Sequence, residues 1–94
     1  MQFNLYATFR LIAGMKTLHI DLPDGTTVQQ AVHAVVKERP VLRTHWLDEA
    51  GEIHAHVHIF INGQDVQNME LGVQTPLKHG DVLDFFPPVG GGLG

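Results

Sequence analysis

Over residues 27–40 the sequence writes one short amphipathic helix that cannot be stable alone. Thr27 and Gln30 form a Thr-x-x-Gln capping box, and Val28, Ala31, Val32, Val35 and Val36 follow at helical spacing. The helix is predicted over about 28–39 and is stopped by Pro40. Its apolar stripe is mostly valine, whose branched side chain loses rotamer freedom in a helix, so propensity does not hold it. Packing on a sheet must do so. The remaining elements therefore have to supply that sheet.

Strand signals lie on both sides of the helix. Residues 2–9 alternate, with Phe3, Leu5, Ala7 and Phe9 on one side and Gln2, Asn4, Tyr6 and Thr8 on the other. A second strand is expected at 16–22, ended by the Pro23-Asp24-Gly25 turn. Residues 41–52 read as a loop with a short turn near 44–47, anchored by Trp46. Alternation returns over 53–61: Ile53, Ala55, Val57, Ile59 and Ile61 face one way, His54, His56, His58 and Phe60 the other. Asn62-Gly63 reverses the chain into a brief strand at 64–66, and an irregular stretch leads through Pro76 to the His79-Gly80 turn. A last strand is expected at 82–86. The periodicity by itself supports a small α+β domain.

At 94 residues the chain is expected to be one domain with a single modest core. No stretch approaches the roughly 18 apolar residues of a membrane span, and no basic segment precedes an apolar run at the start. A cytoplasmic address is the default expectation. The formal net charge is −4, with six scattered Lys and Arg, so no basic stripe exists to neutralise phosphates and nucleic acid is not an expected partner. There is no cysteine, hence no disulfide framework and no persulfide carried on a side chain.

The sequence closes Phe85-Phe86-Pro87-Pro88-Val89-Gly90-Gly91-Gly92-Leu93-Gly94. A terminal carboxylate is inert until ATP converts it to an acyl adenylate. Glycine, lacking a Cβ, passes a narrow enzyme channel and leaves the activated carbonyl open to sulfide, thiol or amine. The run Leu77-Lys78-His79-Gly80-Asp81-Val82-Leu83-Asp84-Phe85-Phe86-Pro87-Pro88-Val89 resembles the closing segment of the MoaD/ThiS-type ubiquitin-like sulfur carriers, which end in Gly-Gly. Leu5-Tyr6-Ala7, Arg10 and Gly14 are similar to the opening of the molybdopterin synthase small subunit. Gly51-Glu52-Ile53 and Asn62-Gly63 fall at the family's third strand and turn, with likeness also to the archaeal small modifier proteins and CysO.

The resemblance implies a β-grasp: a mixed sheet of four to five strands, one main helix on one face, a domain over 1–89 and a glycine-rich tail over 90–94. It also implies that the chain is a substrate and carrier, not an enzyme, and binds no cofactor of its own. ATP is used by a ubiquitin-activating-type adenylating enzyme. The other implied partner is a sulfur-acceptor enzyme, of the molybdopterin synthase large subunit or cysteine synthase type. The family ending aligns its reactive carboxylate with Gly92, whereas here Leu93-Gly94 follow. Either a tail-processing metalloprotease cuts after Gly92, or Gly94 itself is activated.

The residues hold two further constellations. On a strand, neighbouring members of the His54, His56, His58 row can converge on one zinc ion. The outer pair, about 13 Å apart, cannot, so a partly solvated polar face is the expectation. On the last strand Leu83 and Phe85 share one side, and Val82, Asp84 and Phe86 the other. Asp84 in water turns Phe86 outward, where Phe60 and Tyr6 can join it in a partner-binding patch beside Pro87, Pro88 and Val89. In the competing reading Phe86 folds over the sheet rim. Three functions compete with the sulfur carrier: a modifier joined to lysine amines, a metal-binding module on the histidine strand, and a ubiquitin-like interaction domain that is never activated.

Overall fold

The computed structural model describes residues 1–88. Residues 89–94, with Val89, Gly90, Gly91, Gly92 and Gly94 among them, lie outside the described residues. Five strands form one mixed sheet: β1 (Gln2–Leu5), β2 (Thr17–His19), β3 (His58–Ile61), β4 (Gln64–Asp65) and β5 (Val82–Phe86), in the order β2-β1-β5-β3-β4. β1 and β5 pair in parallel at the centre, with Asn4 opposite Asp84 and Leu5 opposite Phe85. The other pairings are antiparallel. Phe3, Leu5, Leu18, Ile59, Ile61, Leu83 and Phe85 point to one side and are buried under the helices. The architecture is a ubiquitin-like β-grasp.

The main helix, α2 (Val28–Glu38), matches its sequence signature. Thr27 Oγ1 accepts from Gln30 N at 3.2 Å while Gln30 Oε1 accepts from Thr27 N at 3.0 Å, completing the capping box. Its five predicted apolar residues are all buried against the sheet.

The structure departs from the expected elements in several places, the strand expected at 64–66 among them, which covers only Gln64–Asp65. The strand expected over 2–9 stops at Leu5 and gives way to a helix, α1 (Ala7–Ala13). Phe9 and Ala13 sit four residues apart on its buried face, and Gly14 closes it in the left-handed conformation, φ 73°, donating to Arg10 O at 2.9 Å. Phe9 fits both periods, which is why alternation ran past the true end of the strand. The strand expected over 16–22 is only Thr17–His19. Finally, the strand expected over 53–61 shrinks to its last four residues. Its pairing with β5 ends at His58 opposite Phe86, and the next residues of that strand are Pro87 and Pro88, which have no N–H to donate.

Residues 53–57 instead turn toward the loop before them. Ile53 bridges Leu47, and His54 N donates to Trp46 O at 2.9 Å. The loop expected over 41–52 contains a short helix, α3 (Arg43–Trp46), preceded by a 3-10 turn at Pro40–Leu42. Trp46 is fully buried as expected, stacked on Phe85 at 4.5 Å and edge-on to Phe9 at 5.5 Å. Among the described residues no helix is long and apolar enough to cross a membrane.

Candidate functional site

The helices cover one face of the sheet and leave the other open. Along β5 the even positions face outward, so Val82, Asp84 and Phe86 are half-buried between the fully enclosed Leu83 and Phe85. The register then decides their neighbours. Asn4 of β1 and Phe60 of β3 lie opposite Asp84 on its two sides, and His58 lies opposite Phe86.

Phe86 is the centre of an aromatic cluster. Tyr6, just past the end of β1, stacks on it with centroids 4.3 Å apart and rings 10° from parallel; Phe60 meets it edge-on at 5.6 Å. His58, Phe60, Phe86 and Pro88 line an open hollow of about 500 Å³. Tyr6, Phe60, Phe86 and Pro88 are thus brought together as the sequence suggested, with Pro87 half-buried alongside. Phe86 does not fold over the rim.

A polar stripe runs beside the aromatic one. Asn4 Nδ2 donates to Asp84 Oδ1 at 2.9 Å, and the Tyr6 hydroxyl donates to the same oxygen at 3.3 Å. Gln2 and Thr17 both donate to Asn4 Oδ1 at 3.0 Å, which orients the amide toward Asp84. Burial, the Asp84 charge and the hydrogen bond to it together hold the Tyr6 phenol above its ordinary value of 10.0. Asp84 was expected simply to face water. It is instead half-buried and tied to β1, a link sequence reasoning missed because nothing local announces the parallel pairing of the first and last strands.

The turn before β5 is pinned by Asp81, which is 5% exposed. Its carboxylate accepts from Lys78 N at 2.8 Å and from Asn62 Nδ2 at 3.0 Å, while Asn62 Oδ1 accepts from Val82 N at 3.0 Å. One carboxylate therefore locks both the Gly80 turn and the Asn62-Gly63 turn.

The histidines do not form the row that alternation implied. His54 and His56 lie in the turn over 53–57 with rings stacked at 4.9 Å, and the Nε2 of His56 is 3.2 Å from His45 O. His58 alone is on β3 and faces the hollow. No group of three His, Cys, Asp or Glu able to hold a metal occurs among the described residues. His54 and His56 lie before β3, so the single strand row that zinc would need does not form.

A β-grasp with an open aromatic face running into Pro87-Pro88 and a glycine-rich ending is the architecture of a small ubiquitin-like carrier rather than of an enzyme. The chain belongs to the ThiS family, whose model matches residues 3–92. It is 32% identical to small archaeal modifier protein 3 of Haloferax volcanii over 92 residues, covering 98% of each chain. It is 34% identical to small archaeal modifier protein 1 of the same organism, covering 98% of this chain and all of that one. The crystal structure of SAMP1 from Haloferax volcanii superposes with a TM-score of 0.83 at 31% identity, covering 96% of both chains.

Proposed function

We propose that this chain carries sulfur as a C-terminal glycyl thiocarboxylate. A ubiquitin-activating-type enzyme docks on the aromatic face and draws in the glycine segment. The glycine carboxylate attacks the α-phosphorus of ATP and expels pyrophosphate. Sulfide from a donor then attacks the acyl carbon and releases AMP. The thiocarboxylate finally delivers its sulfur to an acceptor enzyme, of molybdopterin synthase or cysteine synthase type, in the cytoplasm. The observation that carries this reading is the reach of the family match to residue 92, which takes in Gly90-Gly91-Gly92 together with the strand and prolines that lead to them.

Gly92 is joined to Leu93, and a peptide carbonyl has no carboxylate oxygen to adenylate. We therefore place a protease, of metalloprotease type, ahead of activation: Leu93 is bulky where a channel shaped for glycine pinches. A second reading is favoured by a specific observation, namely that two relatives matched along nearly their whole length are named modifier proteins. On it, a lysine amine of a target protein attacks the same acyl carbon and an isopeptide bond forms.

Full-length protein and a form ending at Gly92 are incubated with ATP, a sulfide donor and the adenylating enzyme of the same organism. The expected result is that only the shortened form gains the mass difference between sulfur and oxygen. Equal conversion of both removes the processing step; conversion of neither, with an enzyme active on another carrier, overturns the sulfur reading. Conjugates in cells lacking the sulfur acceptors would favour the modifier.

A further inference from the structure

We infer that Asp84 is the specificity element of the aromatic face, and that the adenylating enzyme covering this face brings an arginine to it. This rests on the reading above, in which the face is the docking surface. The register sets Asp84 between Asn4 and Phe60 on the open side of the sheet, with Phe86 two residues further on the same side. Its Oδ1 accepts from both the Asn4 amide and the Tyr6 hydroxyl, while Oδ2 has no protein donor among the described residues. Both donors are neutral. They hold the carboxylate in place without cancelling its charge.

An apolar partner surface laid over Tyr6, Phe60 and Phe86 would strip water from that carboxylate and leave it unpaired, which strongly opposes docking. A partner that supplies a cation avoids this penalty, so the same group that rejects a wholly apolar surface selects a complementary one. Arginine fits better than lysine. Its guanidinium is weakly hydrated, lies flat against aromatic rings such as those of Tyr6 and Phe86, and reaches the free Oδ2 through a planar fork of donors. The net charge of −4 adds a general attraction toward a basic surface. The partner surface is thus defined by its chemistry: an apolar side chain for the hollow lined by His58, Phe60, Phe86 and Pro88, and an arginine beside it.

The test measures binding of the full chain and three variants to the adenylating enzyme of the same organism, at low and high salt. Asp84→Asn keeps the oxygen that accepts from Asn4 and Tyr6 and so keeps the fold, checked by its melting temperature. It is expected to weaken binding about 10-fold at low salt and to flatten the salt dependence. Phe86→Ala is expected to weaken binding while preserving the salt dependence, and Asp84→Glu to retain it. Wild type that binds, with Asp84→Asn equal to it in affinity and salt dependence, overturns this inference alone. Failure of wild type to bind overturns the docking reading itself, and the inference with it.

Discussion

Tyr6 connects the two stripes of the open face, its ring stacked on Phe86 and its hydroxyl bonded to Asp84. It is the one tyrosine in the chain, so its ionisation can be followed by ultraviolet absorbance without overlap from another phenol. The midpoint is expected above 10.0, and Asp84→Asn is expected to lower it only part of the way, because burial is the largest cause and survives the substitution. The consequence for stability has a definite sign. A phenol whose folded-state value is raised binds its proton more tightly in the native protein, so this contribution is complete below pH 10 and is lost as pH rises through the folded-state value. Denaturant midpoints measured across the alkaline range should fall for wild type and fall less for Tyr6→Phe. An ordinary Tyr6 midpoint would mean that the phenol is neither desolvated nor facing Asp84.

Among the elements, α1 is the one whose entry is strained. Ala7 has φ 51° although it opens a helix, because the chain must leave β1 and turn sharply at Tyr6, whose carbonyl accepts from both Phe9 N at 3.1 Å and Arg10 N at 3.4 Å. Ala7 is exposed, so glycine there costs no packing. Ala7→Gly is therefore expected to stabilise the protein by about 0.5–1 kcal/mol in urea unfolding, against a loss of about 1 kcal/mol at an ordinary helix position. A measured loss would show that the first turn is regular. α2 and α1 differ in legibility for a related reason. The capping box and Pro40 mark α2 in its own residues, whereas α1 lacks a side-chain cap and follows a strand whose alternation continues through its buried Phe9.

For the whole molecule, the central strands are the first and the last, so the sheet closes only when residues about 80 apart in sequence meet. Among the described residues the buried core runs from Phe3 to Phe85. Deleting residues 89–94 is accordingly expected to change unfolding free energy by less than about 0.5 kcal/mol while abolishing adenylation. A large drop in melting temperature would show that the glycine segment contributes to the fold. The same parallel pairing puts Tyr6 against Phe86, which is how the aromatic face comes to border Pro87-Pro88.

What the sequence determined by itself was everything carried by short-range chemistry. That includes the capped valine helix, the turns at Asn62-Gly63 and Gly80, and the alternation that puts Phe86 on the side of β5 opposite Leu83 and Phe85. Turn geometry and side-chain period act over a few residues and leave their mark there. Only the tertiary structure decided which strands meet, and with that the site's composition. The Asn4–Asp84 pairing, the stacking of Tyr6 on Phe86 and the breakup of the histidine row after Pro87-Pro88 ended the ladder all depend on partners far away in sequence. A residue's own pattern states which face it occupies. Pairing register, set by packing the whole sheet under α2, states what it touches.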